Sequence, residues 1–266
     1  MKSYFVFNGK RSLDYGLTIE NLPNAAFPAR RGEEYLIDGR NGKRFREDGT
    51  FDNYEQIYNV FVRDEATKRD LYQISTDLAA WLLGSSGFCR LEDSYNPDSF
   101  RLARFAGPMN FEATLRRYGR ASLVFDCQPE RYLKTGEEAI TLFENVDLSD
   151  SAAVSAAQAT IINPTAFPSK PLLRVTGTGN VGFSSTNAVN SETMIIQLAL
   201  GSTERTVSIN CDTYRISLNS ALVSFGTTYP ILTTLQPGEN TFAATSGITN
   251  PGTIKKLEIV PKWWTL

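Results

Sequence analysis

The 266-residue chain contains no histidine. That absence removes the commonest general base, the Ser-His-Asp arrangement and most zinc sites in one step. Cysteine is scarce: Cys89, Cys127 and Cys211 are odd in number, far apart and in no CxxC spacing. This fits buried free thiols in a reducing compartment, not a disulfide framework. Neither sign of charge is in excess, with 27 Lys+Arg against 29 Asp+Glu and a net charge of −2. The chain therefore lacks the positive field that draws proteins to phosphate backbones or anionic lipid, and sequence-specific nucleic acid is not an expected partner. No apolar run approaches the roughly 18–20 residues needed to cross a bilayer, and no basic stretch leading into an apolar one opens the chain. A soluble protein made in the cytoplasm, with no membrane partner, is expected.

What remains is ordinary globular composition, 41% hydrophobic and 21% charged, enough for a packed core. The length suits two domains. Residues 1–135 hold 20 of the Lys+Arg and 19 of the Asp+Glu, leaving 7 and 10 for residues 136–266. The second half is instead rich in Ser, Thr, Asn and Gly. This shift divides the chain into domains 1–140 and 141–266, with 141–170 as connector and first strand, because the small residues from Ser151 give way to Pro164, Pro168 and Pro171.

In the first half, Tyr4–Phe7 meets an Asn8-Gly9 turn and a second strand near Leu17–Ile19 completes a hairpin. Tyr35–Ile37 is followed by turn chemistry at Asp38-Gly39 and Asn41-Gly42, and Tyr54–Val62 reads as a strand with Tyr58, Val60 and Val62 on one face. One helix is expected: Leu71, Ile74, Leu78 and Leu82 form a stripe with Trp81 beside it, Asp64 as N-cap and Gly84 past the end. Phe111–Leu115 and Leu123–Cys127 alternate as an antiparallel pair about a turn at Tyr118–Arg120. The second half offers only short strands, Leu172–Val175, Met194–Leu200, Arg205–Ile209, Tyr214–Leu218 and Ile254–Val260, with turns between them. That pattern indicates a β-sandwich.

Chemistry-bearing constellations are few. The carboxylates Glu33-Glu34, Glu92-Asp93 and Glu137-Glu138 are neighbours, so on a strand each pair points to opposite faces and reads as solvated surface. Gly177, Gly179 and Gly182 are spaced as GxGxxG, but no helix pattern follows to place an N-terminus at a phosphate, and a turn is the better reading. The basic clusters Arg30-Arg31, Arg40 to Arg46 and Arg116-Arg117 read as solvated or subunit-contacting surface, not as a nucleic-acid site. Trp263-Trp264 should place one indole in the core and one at an edge. No catalytic, cofactor-binding or metal-binding residue is expected, and the protein is read as not an enzyme.

Several segments, in order, carry a family resemblance. Phe5–Ser12 with Asp14–Ile19, Ile37–Gly42, Leu91–Asp98 with Arg101–Ala103, Phe125–Tyr132, Asn163–Thr165 with Pro171–Gly179, Ser208–Asp212 with Tyr214, Tyr229–Asn240 and Ile259–Trp263 resemble the siphophage distal tail protein, the tail component of Gram-positive phages and prophages. The resemblance spans nearly the whole chain. It implies a mainly β fold, with a tail-tube-like belt domain carrying one helix and a galectin-like β-sandwich on the ring's periphery. It further implies a hexameric ring at the virion tail tip, assembled in the host cytoplasm. The ring would join the tail tube protein to the tail-associated lysin or tail fibre protein, and could anchor a receptor-binding protein. Galectin sugar sites rely on a histidine that this chain lacks. A carbohydrate-binding module gripping cell-wall sugars is the alternative reading. In tail-tube-like folds the hairpin at this position bridges subunits, so Arg30 to Arg46 is expected to form an arm, with Arg30, Arg31, Arg40, Lys43, Arg44 and Arg46 as inter-subunit contacts.

Overall fold

The computed structural model describes residues 2–266 apart from 23–25, 64–68, 109–110, 116–117, 188, 190–192, 219–220, 223–232 and 247. The chain divides into two compact units, Met1–Tyr132 with Leu266, and Leu133–Thr265.

The first unit comprises β1 (Phe5–Phe7), β2 (Lys10–Arg11), β3 (Leu17–Ile19), β4 (Arg30–Leu36), β5 (Lys43–Phe51), β6 (Tyr54–Val62), α1 (Leu71–Leu83), β7 (Cys89–Asp93), β8 (Ser99–Phe105), β9 (Phe111–Leu115) and β10 (Tyr118–Leu133). A sheet ordered β2-β1-β7-β8-β10-β6-β3 is joined by β9 alongside β10. Its two ends are drawn together. Buried Ser12 accepts a hydrogen bond from the Phe5 amide at 3.2 Å and donates to the Leu17 carbonyl at 3.1 Å, while the Ile19 amide donates to the Ser3 carbonyl. The hairpin at Asn8-Gly9 is therefore β1 with β2, and Leu17–Ile19 pairs with β6 instead. Two-residue turns join the nearest strand available, which here is the short Lys10–Arg11.

Alternation sets the core of this unit. Tyr54, Gln56, Tyr58, Val60 and Val62 of β6 are buried, as are Leu123, Phe125 and Cys127 of β10. Leu71, Ile74, Leu78, Trp81 and Leu82 of α1 close over them. The Trp81 ring stacks on Tyr15 at 4.4 Å and its Nε1 donates to the Phe7 carbonyl at 3.0 Å. Asp70, not Asp64, caps α1: its side chain accepts from the Gln73 amide while the Gln73 side chain accepts from the Asp70 amide. This reciprocal pair satisfies two amides that a helix start leaves open. Asp64 lies outside the described residues. Tyr118 and Arg120, expected in a turn, belong to β10, with Tyr118 opposite Leu115.

The second unit comprises β11 (Ile140–Asp147), α2 (Ser151–Ala156), β12 (Gln158–Asn163), β13 (Leu172–Thr178), β14 (Asn180–Asn187), β15 (Thr193–Ala199), β16 (Arg205–Asn210), β17 (Arg215–Leu218), β18 (Ala221–Leu222), β19 (Gly238–Ala244), β20 (Thr253–Val260) and β21 (Trp264–Thr265). Sheets ordered β11-β20-β13-β16-β17-β18 and β12-β19-β14-β15 enclose one core. Leu173, Val175, Val207, Ile209, Leu257 and Ile259 meet Val181, Phe183, Ile196, Leu198 and Phe242 there. The segment 141–170, read as connector and first strand, holds most of β11 and all of α2 and β12. Phe143, Val146 and Leu148 are core residues, Asp150 caps α2 through the Ala152 amide at 2.9 Å, and the prolines fall only after β12.

Candidate assembly surface

β4 and β5 form a two-stranded ribbon that belongs to none of the three larger sheets, and every residue from Arg30 to Thr50 is exposed. Tyr54–Val62 lies inside the main sheet, while the arm expected from Arg30 to Arg46 runs further, its second strand being Lys43–Phe51. The sequence concealed the full length of this strand because charged residues dominate it and leave no apolar alternation. The turn uses its glycines: Gly39 and Gly42 have φ of 78° and 81°, and the Arg40 amide donates to the Ile37 carbonyl at 3.1 Å. Such left-handed positions favour glycine. Gly32 sits at a bulge, where a Cβ would lie 2.3 Å from the Arg46 carbonyl oxygen and 2.7 Å from the tip of the Phe45 ring.

Cross-strand register assigns the two faces, since directly opposed residues share one. Glu33, Tyr35, Arg44 and Arg46 occupy one face; Glu34, Leu36, Lys43 and Phe45 occupy the other. The charges are largely answered within the ribbon. Arg30 pairs with Glu47 at 2.8 Å, Arg31 with Asp52 at 2.9 Å and Lys43 with Glu34 at 2.6 Å. Hydrogen bonds from the Thr50 hydroxyl and amide lower the Asp48 carboxyl below its ordinary value. From Arg30 to Phe51 the ribbon carries six basic and five acidic residues, so its charge is mixed and its excess small. Of the six expected contact residues, Arg40, Arg44 and Arg46 make no ion pair among the described residues. The arm's apolar side chains Tyr35, Leu36, Ile37 and Phe45 are all exposed. Arg116 and Arg117 lie outside the described residues.

No protein-family model matches the sequence, and neither does any curated protein. Solved structures do match. The Dit protein of phage SPP1, described as a paradigm of the hub adsorption apparatus in phages infecting Gram-positive bacteria, superposes at a TM-score of 0.67 with 13% identity over 100% of each chain. The baseplate of phage p2 in its activated conformation with strontium matches at 0.53, with 9% identity, over 95% of this chain and 97% of that one. The chain has the Dit fold.

The remaining constellations fit a structural Dit fold. All three GxGxxG glycines are explained by close approach. A Cβ on Gly177 would meet the Thr253 carbonyl at 2.3 Å, on Gly179 the Gly252 Cα at 2.7 Å, and on Gly182 the Ile248 Cδ1 at 2.6 Å. Gly179, at φ 71°, turns the chain from one sheet of the sandwich to the other. Asp93 corrects the reading of Glu92-Asp93 as solvated. Its neighbour Glu92 points outward to Arg90, whereas Asp93 is buried, accepts from the Tyr58 hydroxyl at 2.9 Å, pairs with Arg101 at 3.2 Å and accepts from the Tyr95 and Asn96 amides. Trp263 is buried; Trp264 stacks on Phe167 at 4.5 Å and donates to the Pro168 carbonyl, which occupies one ring face and the only donor. Among the described residues no group of three His, Cys, Asp or Glu side chains is placed to hold a metal.

Proposed function

We propose that this chain is the structural hub of a phage tail tip, assembling as a hexameric ring between the tail tube protein and the tail-associated lysin or tail fibre protein, with receptor-binding protein as a further partner. One observation carries the reading: the match to the SPP1 Dit protein runs through both units over the full length of both chains. In this reading the first unit forms the ring, the second, from Leu133, forms a galectin-like sandwich, and the ribbon Arg30–Phe51 bridges to a neighbour, with Arg30, Arg31, Arg40, Lys43, Arg44 and Arg46 at the contact. A ring closes by repeating one heterologous patch pair around its axis. The site of action is the virion, reached by assembly in the host cytoplasm.

Electron microscopy of the purified protein, alone and with its tube protein, tests the proposal. Six-fold rings with a central channel are expected. A protein that stays monomeric at high concentration and also forms no ring with the tube protein overturns it.

A further inference from the structure

In the second unit the sheet β12-β19-β14-β15 ends on a strand whose outer edge is bare. The ladder shows which backbone groups lie there. The Leu200 amide donates to the Gly179 carbonyl at 2.8 Å, one step beyond the Asn180–Ala199 pair, and the Thr245 amide donates to the Gly182 carbonyl at 3.1 Å on the other side of β14. Bonded pairs alternate along an antiparallel ladder. Met194, Ile196 and Leu198 therefore bond to β14, while Thr193, Ile195, Gln197 and Ala199 turn their amides and carbonyls away from it. All four are exposed, Ile195 by 57%, and among the described residues none of these backbone groups has a hydrogen-bond partner. Such an edge pairs readily with another strand, and proteins guard against it with charges, proline, bulges, short strands or covering elements. The other ends of the two sandwich sheets are guarded in this way. β11 carries Glu144, Asp147 and a register shift between Thr141 and Phe143, β18 has two residues, and at β12 Gln158 shares a cleft with Glu144 and Asn145 of β11 and Ala153 of α2. β15 has no charge, no proline and no register shift. Glu239 is the sole charge in the four strands of its sheet.

We infer that β15 is a pairing edge for β15 of a second copy, antiparallel about a two-fold axis that passes through Ile196 perpendicular to the sheet. The backbone sets this register. With the axis at Ile196, Ile195 lies opposite Gln197 of the second copy and Thr193 opposite Ala199, so every outward amide meets an outward carbonyl. Of the registers that oppose free groups, this one engages all four residues. The side chains agree with it. Ile195 of each copy lies diagonally across the axis from the other on the outer face, within the roughly 7–8 Å reach of such neighbours, and the exposed aliphatic of the strand is covered. On the inner face Ile196 lies beside Ile196 and Met194 beside Leu198, so the two cores continue into one another. No charge enters the contact. The pair is isologous, unlike the heterologous pair that a ring repeats, and so it does not depend on the hub reading. One strand edge is small beside the roughly 800 Å² per partner of a stable complex, which makes the association reversible.

Amide hydrogen exchange of the full-length protein over a concentration series, read residue by residue by NMR, tests the pairing. The amides of Thr193, Ile195, Gln197 and Ala199 should exchange fast in dilute solution and about tenfold or more slowly when concentrated, whereas those of Met194, Ile196 and Leu198 are protected throughout by β14. Ile195→Pro removes one outward amide and no bond to β14, and Ile195→Lys sets two like charges across the axis. Both should melt close to wild type and raise the dimer Kd about tenfold or more by sedimentation. Ile195→Cys mixed with Gln197→Cys should form an inter-chain disulfide under mild oxidation in preference to either variant alone. Exchange at the four amides that does not change with concentration overturns the pairing, and so does undiminished association of the proline and lysine variants. Slowed exchange without the mixed cross-link overturns it too, since another segment then covers the edge. If Ile195→Pro fails to fold, the lysine variant and wild-type exchange decide. Rings that leave these amides unprotected overturn the pairing and uphold the hub reading; protection without rings upholds the pairing and counts against the hub.

Discussion

At the residue scale, the buried pair Asp93–Arg101 is the most constrained group in the first unit. With side chains only 3% and 7% exposed, it ties β7 to β8, and through the Tyr58 hydroxyl to β6. A charge in such surroundings is tolerated only while its partner stays. Replacing Arg101 with leucine should cost about 3–5 kcal/mol by chemical denaturation, the usual penalty for stranding a buried charge. The thiols behave differently. Burial pushes Cys127 and Cys211 from an ordinary value of 9.0 up to about 12, so both remain protonated and unreactive in the native state. A thiol reagent should label half-buried Cys89 first and the other two only on unfolding. Because the folded state holds these protons more tightly than the unfolded chain, their contribution is complete below pH 9 and declines as pH rises from 9 towards 12. Denaturation midpoints measured at pH 8, 10 and 11 should fall in that order, and a C127A/C211A variant should show a shallower decline.

At the scale of single elements, α1 joins a sequence-legible inner face to an outer face that only the structure exposes. Leu78 lies at the centre of the inner stripe and is fully buried. Truncating it to alanine should cost about 2–5 kcal/mol, and Asp70→Ala about 1 kcal/mol through loss of the cap. Thermal melts distinguish the two magnitudes. The ribbon presents the opposite case, with much charge and little stability at stake. Its ion pairs are half-exposed or more, and pairs of that kind contribute roughly 0–1 kcal/mol. Substituting Arg40, Lys43, Arg44 and Arg46 together by serine should therefore shift the melting temperature by no more than a degree or two. The same variant should weaken ring formation, as read by sedimentation. Unimpaired assembly would make these four side chains ordinary surface.

On the scale of the whole molecule, the structural boundary matters for any dissection. The second unit begins at Leu133, whose amide donates to the Trp263 carbonyl, and Gly136 lies so close to Trp263 that a Cβ would sit 2.3 Å from its backbone nitrogen. A fragment 133–266 should fold with a cooperative melt. A fragment 160–266 should not, because it loses β11, the hydrogen-bonded neighbour of β20, together with Phe143, Val146, Leu148 and Val154 from the core. Circular dichroism of the two fragments decides between these outcomes. The sandwich itself was legible in the second half, since β13, β16 and β20 alternate and are parted by turn residues. β11 and α2 were not, because small residues and scattered polar ones hide an edge strand and a one-turn-and-a-half helix.

The sequence by itself determined the mainly β class, the single long helix and its buried stripe, the hairpin turn at Gly39 and Gly42, and the absence of histidine chemistry. These follow from periodicity and backbone preference, which act over a few residues. Only the tertiary structure decided that β3 joins β6, that Asp93 is interior while Glu92 is not, and that Tyr72 and Leu83 remain uncovered. Each of these is a choice between distant partners: Asp93 finds Tyr58 across 35 positions and the Arg120 side chain finds Glu20 across 100. Period along a strand states which side chains share a face; which strand lies beside it is set by loop closure and by the summed burial of the whole sheet.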